Sequence, residues 1–593
     1  MTEITVGELL AKCLQAEGIE MMFGIIDGAH IPFTVHASNY GIRHVNCRHE
    51  EGAVHLAEGY SRTNGKPSVV IGSPGPGGAN MLAGLTSAYA DGHPIIAIAC
   101  TRRRLTTDPE RGGAWQATNL VDMAKPITKY SALIRQPERL PEMMRAAFRA
   151  ALTGRPGPVF IAIPDELLGT KVDADKIPVY PSSQYRITNM GAGDPALLEQ
   201  AAELLANAKR PFLHAGKGVL WSEASKEFIE LGDHLAAGMS TSMGARGAVP
   251  EDHPRYFFVF DMQASSLAKN EADVLLVVGS RLGEYDGWGM PPAWGDPSKQ
   301  RTIQIDVDPQ SIGLNRPVDV GILGDAKSAL QVILSKVKEK TQARTEMPDL
   351  PRYRELTQQT QMQGFQFLMA QPTTGLNPGQ MVFNARGFFP RDAVTVLDGG
   401  NTTLWGVAFN QIFEPRSFLY SVKMGYLGTG VPFAIGAKLA APDRQVYCIT
   451  GDGAVGFNIM EMETALREGA NIVVLVAVDD GWGMERSAHN FGGVPAEKQQ
   501  GVNISTAMRY DLIAQGLGCY GEKVDSVGDL PAALKRAVDS GKPALLHVTV
   551  DANLNADPPG YKQFRYVRTL KTKRSRKNPR PFCLQQLGTF FGC

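Results

Sequence analysis

Short runs rich in valine and isoleucine recur along the chain, separated by stretches with the spacing of amphipathic helices. The runs are PSVVIGS, PIIAIACT, GPVFIAIP, RPFLHAG, DVLLVVGS, QRTIQIDVD, AVTVLDGG, QVYCITGDG, IVVLVAVDD and PALLHVTVD. Many are apolar at consecutive positions, which is typical of parallel strands covered by helices on both faces. The repeated alternation predicts an α/β fold built from doubly wound parallel sheets.

Two polar, turn-rich stretches interrupt this alternation and predict linkers. They cover residues 180–195 and about 338–378. A chain of 593 residues is too long for a single hydrophobic core, so several domains are expected. The linkers predict three parallel-sheet domains, at residues 1–180, 190–340 and 370–555, followed by a segment at 556–593.

Charge and cysteine content narrow the class of protein. Lys and Arg total 60, as do Asp and Glu, so no global field points to nucleic acid or to a membrane surface. The first twenty residues predict a polar amphipathic helix rather than a signal peptide, and no apolar run approaches the ~20 residues of a membrane span. The seven cysteines show no CxxC spacing, which favours a reducing cytoplasm without structural zinc.

The C-terminal segment differs in composition from the rest of the chain. Residues 562–593 contain nine Lys or Arg and no Asp or Glu. A disordered basic tail, or an artefact of the sequence, would account for this pattern. A segment that closes over an anionic ligand would account for it equally well.

Two aspartates stand at the ends of neighbouring predicted strands. Asp452 follows the strand YCIT within a Gly-Asp-Gly turn at the start of a helix, and Asp479 follows IVVLVAV. The carboxyl ends of parallel strands meet at one edge of a sheet, and a Gly turn at a helix start presents backbone N–H groups to phosphate. One carboxylate from each loop, with phosphate oxygens, makes the oxygen-only site that Mg²⁺ prefers.

This pair of loops resembles the thiamine diphosphate motif of the acetolactate synthase/pyruvate oxidase superfamily. The resemblance implies that Asp452, Asp479 and the backbone oxygen of Gly481 bind Mg²⁺, and that thiamine diphosphate is the cofactor. Most members carry Asn where this chain has Asp479. The added negative charge should strengthen Mg²⁺ binding but repels the diphosphate, which leaves the net effect open. The turn residues that the resemblance places against the cofactor are Gly451, Gly453, Ala454 and Val455.

Further motifs of this superfamily occur in the expected order. "CRHEEGAVHLAEGYSR" resembles the segment whose glutamate, here Glu50, contacts the cofactor's aminopyrimidine, while Glu51 has no assigned role. A carboxyl group there favours the imino tautomer of the ring. The motifs "GSPGPGGAN", "LDGGNTTLWG" and "MGYLGTGVPFAIGAKLA" imply cofactor contacts from Pro76, Gly77, Asn80, Gly400, Asn401, Gly425 and Leu427.

Other segments are most similar to 2-hydroxyacyl-CoA lyases and benzaldehyde lyase. "FGIIDGAHIPF" implies that His30 faces the substrate, and "AWQATNLVDMAKPITKYS" implies that Gln116 is catalytic and that Ala117 contacts substrate. In "GWGMERSAHN", Glu485 is the candidate proton carrier and Met484 the candidate limit on acyl-chain size, with His30 as the rival proton carrier. In the central block, Arg281 is a candidate phosphate contact, at the place where relatives bind a nucleotide.

The reaction implied is reversible cleavage of a 2-hydroxyacyl-CoA to formyl-CoA and an aldehyde or ketone. The alternative is a carboligase or lyase that acts on free 2-hydroxy ketones or 2-oxo acids, like benzaldehyde lyase or acetolactate synthase. Both imply a small-molecule substrate and a homodimer or homotetramer in which Glu50 and the metal loops meet across a subunit interface.

Overall fold

The computed structural model describes residues 2–107, 109, 111–187, 190–258 and 261–561. The chain divides into a compact unit, Met1–Pro559, and a second unit, Gly560–Cys593. The basic segment at 562–593, with both interpretations given above, lies outside the described residues. Within the compact unit, three parallel sheets with flanking helices follow one another along the chain, in agreement with the predicted α/β class.

The first sheet has six strands in the order β3-β2-β4-β5-β7-β6, and a short antiparallel pair, β1 with β8, lies apart from it. The elements are β1 (Glu3–Thr5), α1 (Val6–Ala16), β2 (Met21–Gly24), α2 (Ile31–Ala37), β3 (Arg43–Asn46), α3 (Glu50–Asn64), β4 (Ser68–Gly72), α4 (Pro76–Asp91), β5 (Ile95–Thr101), α5 (Arg104–Thr107), α6 (Leu120–Ala124), β6 (Ser131–Leu133), α7 (Leu140–Leu152), β7 (Val159–Pro164), α8 (Asp165–Leu168) and β8 (Lys171–Asp173).

The second sheet has five strands in the order β10-β9-β11-β12-β13. Its elements, with the helices that follow it, are α9 (Pro195–Asn207), β9 (Pro211–Ala215), α10 (Lys217–Trp221), α11 (Ser225–His234), β10 (Gly238–Thr241), α12 (Ala264–Glu271), β11 (Val274–Val278), β12 (Arg301–Asp306), β13 (Val320–Leu323), α13 (Ala326–Lys340) and α14 (Leu350–Met369).

The third sheet again has six strands, in the order β15-β14-β16-β17-β19-β18. Its elements are α15 (Pro378–Phe388), β14 (Val394–Leu397), α16 (Asn401–Phe409), β15 (Phe418–Leu419), α17 (Gly430–Ala440), β16 (Val446–Gly451), α18 (Asp452–Asn458), α19 (Glu461–Glu468), β17 (Val473–Val478), α20 (Gly483–Phe491), α21 (Tyr510–Gly516), β18 (Tyr520–Val524), α22 (Leu530–Asp539), β19 (Ala544–Thr549) and α23 (Ala552–Asn555).

Every apolar run singled out in the sequence forms a strand, and strands such as β4, β11 and β17 are buried at each position. Helix α14 occupies twenty residues of the second predicted linker, where the sequence analysis predicted no helix. The surface of α14 is polar, and only a few of its residues pack into the protein: Tyr353 packs edge-on against Phe257, and Leu368 is buried.

Among the described residues, no helix is long and apolar enough to cross a membrane.

Helices α3 and α17 join the first and third sheets through direct backbone contact. A Cβ atom added to Gly59 would lie 2.4 Å from the carbonyl oxygen of Phe433, and one added to Gly436 would lie 2.0 Å from that of Leu56. Such distances leave no space for even a methyl group. The closeness of these helices fixes where the N-terminus of α3, with Glu50, lies relative to the third sheet.

We expect Gly436→Ala to lower the free energy of unfolding by ~1–3 kcal/mol, because the new methyl group must push two helix backbones apart. Gly387→Ala in α15 is the matched control, since no atom lies within 4 Å of its added Cβ, and it should gain ~0.5–1 kcal/mol of helix propensity. Chemical denaturation of both variants measures the difference. Equal stability of the two variants would contradict the close contact.

Candidate active site

The two predicted metal loops lie side by side at the carboxyl edge of the third sheet. β16 and β17 are paired in parallel with Gly451 opposite Ala477, so Asp452 and Asp479 leave the sheet at neighbouring points. Asp452 is held by backbone N–H groups: that of Gly453 donates to Oδ1 at 2.8 Å and that of Gly481 donates to Oδ2 at 3.2 Å. The second loop therefore orients the carboxylate of the first.

Both carboxyl groups are buried, and burial raises the pKa of each. Burial, followed by the negative charge of Asp479, raises the pKa of Asp452 to about 7. Burial also raises the pKa of Asp479, although a hydrogen bond from Asn555 and the charge of Arg486 oppose the change. Two carboxylates in one buried place disfavour ionisation unless a cation joins them.

The loop after β14 borders this site. Asn401 donates from Nδ2 to Ser487 Oγ at 2.7 Å and to the Asn555 carbonyl at 2.8 Å, while its Oδ1 is buried and accepts no hydrogen bond. Gly400 packs against Met484, because an added Cβ would lie 2.7 Å from Met484 Cβ. The structure thus brings Gly400, Asn401 and Met484 to the metal loops, as the motifs predict.

Asp398 is a residue that the sequence reasoning missed. This buried carboxylate accepts hydrogen bonds from the N–H groups of Gly399, Gly428 and Gly430, and burial raises its pKa to about 6. It ties the loop that contains Gly400 to the loop that contains Gly425 and Leu427. An acid directly before a Gly-Gly pair at a strand end was the available signal.

The loop at 424–428 is open to solvent on one side. Gly425 has a φ of +57° and is exposed, and Leu427 is half-buried. Three large apolar side chains nearby in the chain are exposed: Met424 (48%), Phe457 (57%) and Met460 (46%). An exposed apolar surface beside a cofactor loop is typical of an interaction face.

Glu50 lies in the first sheet's half of the molecule, next to the "GSPGPGGAN" loop. It is buried, and Asn80 Nδ2 donates to its Oε2 at 3.0 Å. A Cβ on Gly77 would lie 2.3 Å from Ser73 Oγ and 2.8 Å from Glu50 Oε1, so glycine is required there. Pro76 begins α4. Glu50, Pro76, Gly77 and Asn80 are therefore neighbours, as predicted.

The other N-terminal candidates lie around the same loop. His30 is buried, with Nε2 3.1 Å from the Gly72 carbonyl oxygen and Nδ1 3.4 Å from the N–H of Asp27. Both of its ring nitrogens are thus engaged within the chain, which favours a positioning role over direct substrate contact. Gln116 accepts a hydrogen bond from Arg102 and lies against Gly75, and Ala117 next to it is half-buried.

Glu485 lies on the first turn of α20 and is exposed. Its neighbour Arg486 does not pair with it but with Asp479, at 3.0 Å. The two neighbours therefore differ in environment. Glu485 is exposed to solvent beside Met484, and Arg486 is directed at Asp479 of the predicted metal loop.

Glu51, left without a role in the sequence analysis, has a structural one. Its Oε2 accepts from Asn458 Nδ2 at 3.1 Å, and Asn458 also donates to the Gly428 carbonyl at 3.0 Å. Its Oε1 lies 3.0 Å from His55 Nε2, and the His55 ring meets Tyr426 edge-on at 4.9 Å. Glu51 thus braces the 424–428 loop of its own chain.

The predicted site residues fall into two groups. One surrounds Glu50 at the first sheet, and the other surrounds Asp452 at the third. Among the described residues, no hydrogen bond or ion pair joins Glu50 to Asp452 or Asp479. Other residues join the two halves: Glu51 accepts from Asn458, Glu461 accepts from the N–H groups of Arg48 and His49, and α3 packs on α17.

Arg281 belongs to a separate cationic cluster. It follows β11, and its charge acts together with those of Arg155, Lys217 and Lys423, which come from elements of all three sheets. Partial desolvation and these neighbouring positive charges lower the pKa of Lys423. Burial also lowers the pKa of Lys217, to about 8. The Asp91 carboxylate lies 3.6 Å from Lys217 and offsets part of this charge, and the remaining positive charge favours an anionic ligand.

Comparison with known proteins agrees with this geometry. Residues 4–123, 198–333 and 398–548 match the N-terminal TPP binding domain, the central domain and the C-terminal TPP binding domain of thiamine pyrophosphate enzymes. The chain belongs to the thiamine pyrophosphate enzyme family. The superfamily predicted from the motifs is thereby confirmed, and thiamine diphosphate with Mg²⁺ is its cofactor.

Three similar proteins within this family are named acetolactate synthase large subunits. The chain is 30% identical to a probable acetolactate synthase large subunit of Methanocaldococcus jannaschii, over 96% of each chain. It is 31% identical to that of Methanococcus aeolicus over 94% of each, and 28% identical to acetolactate synthase isozyme 1 large subunit of Escherichia coli over 93% of this chain and 95% of that one. These relatives favour the acetolactate synthase-like alternative over the predicted CoA lyase.

The residues present fit the cofactor of the thiamine pyrophosphate enzymes. Asp452, Asp479 and the Gly481 backbone would supply hard oxygen ligands to Mg²⁺, and burial raises the pKa of both carboxyl groups, so that a cation would stabilise their charged forms. The N–H groups at the start of α18 would face phosphate, beside Gly451 and Gly453, where an added Cβ would lie 2.8 Å from Trp482. Ala454 and Val455 are buried in the same turn.

We expect Mg²⁺ binding to weaken as the pH falls. The Asp452 carboxyl holds a proton up to a pH of about 7 in the metal-free protein, and Mg²⁺ must displace that proton. The raised pKa also makes the stability of the metal-free protein depend on pH. The protonated Asp452 carboxyl stabilises the folded state fully below the ordinary carboxyl pKa, and this stabilisation is lost as the pH rises through about 7. Below that pH, Mg²⁺ affinity in the presence of cofactor should fall by about tenfold per pH unit.

Isothermal titration calorimetry in two buffers of different ionisation enthalpy measures both the affinity and the proton released. Asp452→Asn should remove most of the proton release. An affinity that does not vary with pH on either side of neutrality would show that Asp452 is not the group displaced.

Proposed function

We propose that the protein is a thiamine diphosphate-dependent enzyme that makes or breaks a carbon–carbon bond in free 2-oxo acids or 2-hydroxy ketones, in the manner of an acetolactate synthase. The observation that supports it best is the similarity to proteins named acetolactate synthase over 96% of the chain. The grouping of Glu50 with Gly77 and of Asp452 with Asp479 supports the same class of chemistry. The predicted catalytic roles remain proposals.

Each residue of the site has a separate role in this proposal. The bound cofactor supplies a carbon nucleophile and an electron sink. Glu50, buried and fixed by Asn80, holds a proton at Oε1, the oxygen beside Gly77 that is free of the Asn80 bond. Glu485 accepts and returns the substrate's hydroxyl proton from the open side of α20. Met484, packed on Gly400, limits the room for the substrate's side chain.

A CoA thioester is the second candidate substrate, and the cationic cluster favours it. Arg155, Lys217, Arg281 and Lys423 together would bind the phosphates of a nucleotide, whether that nucleotide belongs to the substrate or to a separate ligand. In that case the reaction is the cleavage of a 2-hydroxyacyl-CoA to formyl-CoA and an aldehyde or ketone.

We also propose that the active site is completed by a second subunit, so that a homodimer is the smallest active form and a homotetramer is compatible. Glu50 and the metal loops are not joined by hydrogen bonds within the described residues, whereas the next residue, Glu51, accepts a hydrogen bond from Asn458 of the same chain. Apolar side chains are exposed near each group: Trp115 on one, Met424 and Phe457 on the other. A partner's opposite half would cover them.

Two reactions, measured side by side, decide the substrate class. We expect the Mg²⁺–cofactor-loaded protein to convert pyruvate to acetolactate and carbon dioxide, and to release no formyl-CoA from a 2-hydroxyacyl-CoA. Chromatography of both reactions, with Asp452→Ala as the inactive control, gives the answer. Formyl-CoA formation without acetolactate would overturn the proposal in favour of the second candidate.

Two inactive variants test whether the site is shared. Glu50→Gln should lose ~10²-fold in rate while still binding cofactor, because the amide cannot carry the proton, and Asp452→Ala should lose the cofactor. When the two are co-expressed in equal amounts, mixed dimers keep one intact site, and about a quarter of wild-type activity should return. No recovery, although mixed dimers are present by mass spectrometry, would place each whole site within one chain.

A further inference from the structure

Arg486 lies on the first turn of α20 and reaches back to the strand end that carries Asp479. Its Nη1 donates to Asp479 Oδ2 at 3.0 Å, and both guanidinium nitrogens lie near the Asp479 carbonyl oxygen, at 3.4 and 3.5 Å. The two side chains are only 16% and 2% exposed. A buried pair of this kind differs from the exposed ion pairs that contribute little elsewhere on a protein surface.

The loop between the two residues is shaped to admit the guanidinium. A Cβ atom on Gly481 would lie 2.2 Å from Arg486 Nη2 and 2.4 Å from the Val502 carbonyl oxygen. Any larger residue at 481 would therefore displace either the arginine or the backbone that pairs with Asn503. The same glycine is the one whose backbone oxygen is predicted to bind the metal.

The negative charge of Asp479 is the reason that a positively charged side chain is needed beside it. Asp479 places a second negative charge within a buried site. Asp452 already supplies one, and a diphosphate would add more. Like charges at this separation oppose one another strongly when water is excluded.

We propose that Arg486 is a positioning residue of the metal site, which offsets the charge of Asp479 and sets the direction of its carboxylate. The pair Asp479–Arg486 then carries the same net charge as a single asparagine. The extra aspartate is thus made compatible with the diphosphate. This inference rests on the cofactor and its metal, and not on which substrate is used.

The two carboxyl oxygens of Asp479 differ in the hydrogen bonds that they accept, and this difference fits the proposed role. Oδ2 receives both Arg486 Nη1 and Asn555 Nδ2, each at 3.0 Å. Neither of these side chains donates to Oδ1. One oxygen is therefore fixed by protein donors, and the other is available to a metal ion.

Binding measurements on a set of four proteins test the proposal without any activity assay. They are the wild type, Arg486→Met, Asp479→Asn and the double variant. With Mg²⁺ in excess, Arg486→Met should bind thiamine diphosphate about tenfold more weakly, because an uncompensated aspartate faces the diphosphate. The quenching of tryptophan fluorescence reports this binding, since Trp482 lies against Gly453.

Binding of Mn²⁺ alone, followed by electron paramagnetic resonance, should move in the opposite direction. Arg486→Met should bind the metal at least as tightly as wild type, because the site is more negative, and Asp479→Asn should bind it more weakly. The double variant restores the charge balance, and both affinities should return to within about threefold of wild type. Arg486→Lys keeps the charge and should keep most of the cofactor affinity.

Arg536→Met is the matched control, because Arg536 forms an exposed ion pair with Glu522 elsewhere in the same half of the molecule. It should change neither affinity. If Arg486→Met binds cofactor as wild type does, or if the double variant shows the sum of two losses, Arg486 does not compensate Asp479. Circular dichroism and the melting temperature of each metal-free variant show that a loss of binding is not a loss of fold.

Discussion

Two carboxylates buried at the ends of adjacent strands are the main electrostatic constraint in this molecule. β16 and β17 run in parallel and in register, so Asp452 and Asp479 must emerge together. The groups that hold them supply positive charge or hydrogen-bond donors: backbone N–H groups for Asp452, and Asn555 with Arg486 for Asp479. The glycines of the loops, and the polar Asn401 and Ser487 behind them, are arranged to satisfy that constraint.

A third carboxylate, Asp398, applies the same principle one strand away. It collects N–H groups from two separate loops, so the residues that would border a diphosphate and those that would border the pyrimidine move as one piece. The site is therefore built less from side chains that point at a ligand than from acids that organise backbone. Glycine permits this close approach at Gly430, where an added Cβ would lie 2.9 Å from Asp398 Cβ.

The fold could be predicted from the sequence because its strands are buried on both faces and read as continuous apolar runs. The grouping of Glu50 with Gly77, and of Asp452 with Asp479, followed from motif order and strand ends. Partnerships between distant residues could not be predicted: Glu51 with Asn458, Asp398 with Gly428, and Arg486 with Asp479 depend on how loops fold back. The helix α14 was missed because its apolar anchors are few. The choice between acyl-CoA and free acid could not be made because proteins that share these loops differ in substrate.

Adjacent glutamates at the start of α3 face different neighbours. Glu50 belongs to the loop of the first sheet, whereas Glu51 is bonded to Asn458, the last residue of the helix that begins at Asp452. Two consecutive residues of one helix start therefore contact different parts of the molecule. If Glu50 serves a partner's metal loop, as proposed above, then α3 of one chain would carry the acid of one centre and contact the helix behind the metal loop of another.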